Sequence, residues 1–208
     1  MVEKLSESTN SFAQADYVVL RKLVPESVRS FLYEYVLKSA QTGRLRLGDS
    51  AVPDTPNFYS DPFMDTLLDL LLPRMEAESG VKLFPTYSYF RVYRHGDVLR
   101  RHHDRPSCEI SASLNLGYVA NEPWPIWIEI GGMAKCISLK EGDAMIYRGI
   151  KIPHWRENFP GEHSAQVFLH YVDQNGPYKG MIYDGRKGLS KSPTISGLMH
   201  QLMSATVG

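Results

Sequence analysis

A chain of 208 residues with 43% apolar residues, 22% charged residues and a formal net charge of zero can bury a core without disulfides or structural metal. It has no global charge to draw it to nucleic acid or an anionic membrane. Its two cysteines, Cys108 and Cys136, lack CxxC spacing, which argues against a disulfide scaffold and a structural zinc site. The polar opening MVEKLSESTNSFAQ has no apolar stretch of the secretory type. The longest apolar run, Leu67 to Leu72, is too short to span a bilayer, so a cytoplasmic protein with no membrane partner is expected.

Residues 1–16 read as a flexible leader and 17–208 as a single domain. Tyr17 to Leu23 reads as a strand. Pro25 then opens a helix where its missing N–H costs little. Val28, Phe31, Leu32, Tyr35 and Val36 recur at helical spacing and predict its buried face. Residues 43–60, rich in Gly, Pro, Asp and Asn, predict a long loop, of a length that often serves as a lid. Asp61 caps a second helix with Pro62 at its first position; this helix runs towards Gly80, with a kink expected at Pro73.

From Leu83 the pattern changes. The runs TYSYFRVY, DVLRRHHD, EISASLNLGY, PIWIEI, KCISL, DAMIYR, IKIPHW and SAQVFLHYV follow one another between turn residues, and many short strands so spaced predict an all-β sandwich or jelly roll over about 83–173. The two helices ahead of it would cover one sheet face, so the fold class is mainly β with N-terminal helices. After Asp173 the sequence is rich in Gly and Ser, and apolar patterning returns only in ISGLMHQLM.

The chemistry concentrates in YRHGDVLRRHHD, Tyr93 to Asp104. On a strand, His102 and Asp104 leave the same face. An imidazole and a carboxylate so placed are two of the three ligands of a 2-His-1-carboxylate site, which leaves positions on a non-haem Fe(II) open. His154 follows fifty residues later, far enough for intervening strands to return to the same point. His103 points to the other face. His163 sits in the loop-like PGEHS and reads as solvated. His170, between Leu169 and Tyr171, reads as a pocket wall. Five arginines (Arg91, Arg94, Arg100, Arg101, Arg105) crowd the approach, either as exposed edge positions or as an attractor for an acidic substrate. Trp124, Trp127 and Trp155 are open between substrate walls and barrel core.

These motifs resemble those of the 2-oxoglutarate and Fe(II)-dependent oxygenases, on the prolyl-4-hydroxylase-like side. The similar features are Tyr93 and Gly96 ahead of His102-x-Asp104, the turn at Gly131 and Gly132, Gly142-Asp143 before an apolar strand, and the distal His154. The resemblance covers roughly residues 17–173. It implies a double-stranded β-helix (jelly roll) with Fe(II) at one mouth, held by His102, Asp104 and His154. It also implies decarboxylation of 2-oxoglutarate to succinate with O2, possible use of ascorbate, and hydroxylation of a peptide side chain or small amino-acid-like substrate. Related halogenases lack the carboxylate ligand; with Asp104 in place, hydroxylation is expected over halogenation.

The pattern departs at one point. Members of this superfamily usually anchor the far carboxylate of 2-oxoglutarate with Arg or Lys about ten residues after the distal histidine, and FPGEHSAQVFLHYV contains neither. A dianion in a partly dry pocket needs a cation or several donors. Arg156 is the expected substitute, sharing a strand face with His154 and ~7 Å further along, and offering a bidentate fork. A surface arginine paired with Glu157 or Glu162 is the competing reading. Gln166 and His170 would share a face of the final strand, and Tyr93 resembles the family tyrosine that donates to the same carboxylate.

Two other functions stay open. A nucleic-acid-directed dioxygenase is suggested by the arginine cluster, against which stand zero net charge and the lack of an aromatic-basic stripe. A catalytically silent metal-binding jelly roll, serving as a sensor or binding module, is suggested by the missing last-strand cation. A zinc hydrolase has the ligand types, though not the usual spacing.

Overall fold

All eight strand runs expected after Leu83 form, and their side-chain alternation divides the molecule into layers. The computed structural model describes residues 12–48 and 52–188. The strands are β1 (Tyr17–Leu20), β2 (Arg46–Leu47), β3 (Pro56–Tyr59), β4 (Leu83–Arg94), β5 (Leu99–His102), β6 (Ile110–Val119), β7 (Ile126–Ile130), β8 (Met133–Ile137), β9 (Ala144–Tyr147), β10 (His154–Arg156) and β11 (His163–Asp173). They build a seven-stranded sheet ordered β1-β9-β6-β11-β4-β3-β2 and a four-stranded sheet ordered β5-β10-β7-β8. Every pairing among these strands is antiparallel. This is the jelly-roll arrangement expected from the strand spacing.

Alternate residues of the larger sheet face opposite layers, as the two-residue period of a strand requires. Phe90, Leu114, Ile146, Val167 and Leu169 pack outward onto Leu32, Val36, Met64, Leu68 and Met75 of two helices. Burying each such side chain fully stabilises the fold by roughly 1.5–3 kcal/mol. The intervening positions turn inward and are more polar: Ser111, Ser113 and Asn115 on β6, and Ser164, Gln166 and His170 on β11, all buried. Towards the smaller sheet, Ile126, Ile128, Ile137, Met145, Tyr147 and Ile152 close an apolar floor.

The helices are α1 (Phe12–Ala15), α2 (Glu26–Gln41) and α3 (Pro62–Ser79). Asp61 caps α3 as expected, accepting from the amides of Phe63 and Met64 at 3.0 and 3.1 Å, and Gly80 ends it at φ +69°, a left-handed conformation that glycine adopts without penalty. The buried face of α2 includes Leu32 and Val36 as its apolar spacing predicts, but is rotated away from Val28 and Phe31. Arg29, Leu32, Val36 and Ser39 are buried, whereas Val28 and Phe31 are exposed. Arg29 goes inward because its Nη1 donates to the Leu116 carbonyl at 2.5 Å while Glu26 holds the rest of its fork.

Two further expectations are corrected. Residues 12–15 are not part of a flexible leader, because Phe12 sits in α1 with its ring buried; residues 1–11 lie outside the described residues. The expected loop 43–60 contains β2 and β3, and β3 joins the larger sheet by setting Phe58 opposite Phe90, a stacked ring pair at 5.8 Å. The ISGLMHQLM stretch also lies outside the described residues. Among the described residues no helix is long and apolar enough to cross a membrane.

Candidate metal centre

His102 ends β5 and His154 begins β10, and the antiparallel register sets them directly opposite each other. Their rings lie 4.3 Å apart between centroids. Asp104 falls beyond the end of β5, so strand alternation alone does not place it. Its backbone amide donates to the Gly149 carbonyl at 2.9 Å, which turns the side chain back between the two rings. The Asp104 Oδ1 lies 3.7 Å from the His102 Nε2 and 3.5 Å from the His154 Nε2.

The second nitrogen of each ring is committed. His102 Nδ1 lies 2.7 Å from the Arg100 carbonyl and His154 Nδ1 2.9 Å from the Ile152 carbonyl. A carbonyl only accepts, so both rings carry their proton on Nδ1 and present Nε2 as a lone pair. The result is two nitrogen lone pairs and one anionic oxygen converging on a point, the donor set of a 2-His-1-carboxylate site. The three ligand atoms all lie within 4.8 Å of one another, so one ion could be shared among them.

A cavity of about 150 Å³ opens on this triad, with Tyr87, Tyr89, Arg91, Tyr93, Tyr147, Phe168 and His170 among its walls. His170 is a wall residue, as expected. Its Nδ1 lies 2.9 Å from the Ser111 Oγ, its ring lies 4.5 Å from that of Tyr87, and burial pulls its imidazolium down to about 4, so the ring is neutral. Tyr93 lines the cavity and meets Trp124 edge-on at 4.9 Å. Trp124 is buried, whereas Trp127 and Trp155 stack on each other at 6.1 Å and line no part of the cavity.

Arg156 is no surface residue: it is 1% exposed. Its Nη1 donates to the Trp124 carbonyl at 2.5 Å, its Nη2 lies 3.5 Å from the Gln166 Oε1, and its Nε is buried without a hydrogen bond. Neither Glu157 nor Glu162 pairs with it, and burial lowers the guanidinium from its ordinary value. Gln166 stands behind it, donating to Asn115 and Ser164. Arg156 and Gln166 form a layer behind the cavity wall rather than the wall itself.

Of the approaching arginines only Arg91 reaches the cavity. Arg101 pairs with Glu129 at 3.0 Å, and Arg105 grips Asp184 with both nitrogens at 2.8 and 2.7 Å. His103, also beyond the end of β5, is exposed. His163 departs from expectation: it opens β11 and its Nε2 lies 2.6 Å from the Tyr33 hydroxyl.

Of the site residues that escaped the sequence reading, three contact the triad itself. Tyr147 points its hydroxyl at the His154 Nε2 from 3.4 Å, Ser111 reaches the Asp104 Oδ2 at 3.0 Å, and Gly149 carries the turn that holds Asp104. The alternation of small polar residues in ISASLN, which makes Ser111 inward-facing, was the available signal for one of them.

The fold is similar to that of solved 2-oxoglutarate and Fe(II)-dependent oxygenases, prolyl hydroxylases among them. A prolyl-4-hydroxylase from Pseudomonas putida superposes with a TM-score of 0.65 at 16% identity, covering 78% of this chain and 95% of that one. A prolyl hydroxylase from Trichoplax adhaerens, in complex with a hypoxia inducible factor oxygen degradation domain peptide fragment, gives 0.66 at 14% identity over 79% and 87% of the two chains. HygX from Streptomyces hygroscopicus, with nickel and 2-oxoglutarate bound, gives 0.62 at 12% identity over 79% and 85%. No protein-family model matches the sequence, and no curated protein matches it.

Proposed function

We propose that this chain is a non-haem Fe(II) and 2-oxoglutarate-dependent dioxygenase that hydroxylates a peptide side chain or a small amino-acid-like molecule. His102, Asp104 and His154 would hold the metal. The observation that carries the reading is the convergence of two Nε2 lone pairs and Asp104 Oδ1, with each Nδ1 fixed by a backbone carbonyl. Bound iron with 2-oxoglutarate and O2 would supply oxidative decarboxylation to succinate, coupled to hydroxylation of an unactivated C–H bond. The protein's part is to fix geometry and exclude water.

Arg156 would meet the far carboxylate of 2-oxoglutarate, with Tyr93 donating beside it. A fully buried guanidinium with no ion-pair partner among the described residues is costly unless an anion joins it, and Tyr93 and Tyr147, which act on its charge, both line the cavity. Gln166 would orient Arg156 from behind, and His170 would close the wall. The peptide bound by the Trichoplax prolyl hydroxylase and the open, aromatic mouth of this cavity favour a substrate that presents one side chain to the metal.

The test is succinate release from 2-oxoglutarate with Fe(II), ascorbate and air. Wild-type protein is expected to form succinate and His154→Ala none. Failure of the wild type would leave the metal-binding sensor or binding module as the better reading.

A further inference from the structure

The far side of Asp104 is as constrained as the side facing the histidines. Its Oδ2 lies 3.0 Å from the Ser111 Oγ, and the same hydroxyl lies 2.9 Å from the His170 Nδ1 and 3.2 Å from the Cys108 carbonyl. A serine hydroxyl has one proton to give. The carboxylate is the strongest acceptor in reach, since a charged acceptor makes the shorter and stronger bond. With that proton on Asp104, His170 must carry its own on Nδ1 and donate to Ser111. The chain of donors therefore runs from His170 to Ser111 to Asp104 in one direction.

We propose that Ser111 and His170 are positioning residues that hold Oδ2 of Asp104 away from the metal, so that the carboxylate ligates through Oδ1 alone. The inference rests on the metal reading above. A carboxylate free to chelate would take a coordination position that 2-oxoglutarate needs. The neighbourhood leaves no second course for Oδ2: a Cβ built on Gly149 would lie 2.1 Å from it, so that backbone closes one side and Ser111 the other. Asp104, Cys108 and His170 do bring ligand atoms within 4.8 Å of one another. Yet Cys108 Sγ is bonded to the Tyr87 hydroxyl at 2.9 Å and His170 Nδ1 to Ser111. That cluster is a hydrogen-bonded buttress, with the Tyr87 ring tilted against His170 as its outer face.

The experiment titrates metal-free protein with Co(II), read through its visible d–d bands. Wild type is expected to bind one equivalent, and His102→Ala to lose that binding. Ser111→Ala is expected to weaken Co(II) binding roughly 10- to 100-fold, with bands altered in position and intensity, while its far-ultraviolet dichroism stays that of wild type. His170→Phe keeps the ring against Tyr87 but cannot donate; it is expected to shift the bands the same way with a smaller loss of affinity, and it carries the test if Ser111→Ala does not fold. Wild-type affinity and bands in these variants would overturn the inference while leaving the metal reading intact. Binding by wild type that does not depend on His102 would overturn both.

Discussion

The backbone of Gly149 and the carboxylate of Asp104 are in mutual contact. The glycine carbonyl accepts the Asp104 amide at 2.9 Å, and a Cβ at Gly149 would stand 2.1 Å from Oδ2 and 2.6 Å from the Cys108 carbonyl. One of those neighbours is backbone and cannot yield, so the carboxylate must swing away. Gly149→Ala is expected to cost at least tenfold in Fe(II) or Co(II) affinity, about 1.4 kcal/mol or more, measured by titration. The same variant should keep the wild-type far-ultraviolet spectrum, because the clash is confined to the turn.

Arg156 offers a separate test of the cosubstrate site. If its guanidinium meets the far carboxylate of 2-oxoglutarate, Arg156→Ala raises the apparent KM for 2-oxoglutarate at least tenfold, ~1.4 kcal/mol or more. Arg156→Lys should recover only part of that, since an ammonium cannot reproduce the fork. Steady-state kinetics over a 2-oxoglutarate series decides it, and an unchanged KM in Arg156→Ala retires the assignment.

The order His102, Asp104, His154 and the strands that deliver them were legible because both signals are local: residue type at fixed spacing, and alternation along short runs. What failed to read was long-range. Arg156 reaches the Trp124 carbonyl 32 positions back, Arg29 the Leu116 carbonyl 87 positions on, and His163 the Tyr33 hydroxyl 130 positions back. Each of these partners is distant in the chain, and periodicity has no term for such a partner. The inward serines of β6 show the intermediate case. Alternation in ISASLN marks Ser111 as facing the interior, but only the register that pairs it with His170 shows what it does there.

His170 gives a pH prediction for the metal-free protein. Its folded value, about 4, lies below the 6.5 of an unperturbed imidazole. Between those limits the unfolded chain binds a proton that the folded chain does not, so stability is fully present above pH 6.5 and is lost as pH falls towards 4. The loss should reach about 3 kcal/mol across the window, at ~1.4 kcal/mol per pH unit. Urea denaturation of wild type and His170→Phe at pH 5 and pH 7.5 isolates it. The wild type should lose more stability on acidification than the variant by about 2 kcal/mol, and equal losses would show that His170 is not buried in its neutral form.

The segment after β11 is tied to the mouth of the site through one carboxylate. Asp184 accepts both nitrogens of Arg105 at 2.8 and 2.7 Å and the Tyr59 hydroxyl, and Arg105 in turn lies over the Tyr87 ring at 4.6 Å. Tyr183 and Asp184 hold positive φ of 54° and 55°, a conformation that costs a non-glycine residue energy and persists only where neighbours over-determine it. Removing the carboxylate removes that determination. Asp184→Ala is expected to speed amide exchange of residues 179–185 by more than tenfold while leaving α2 and α3 at wild-type protection, since its side-chain partners Arg105 and Tyr59 lie on neither helix. Exchange followed by mass spectrometry reads both regions at once. Unchanged exchange in 179–185 would mean that the Arg186 contacts with Ser60 and the Thr86 carbonyl hold the segment without Asp184.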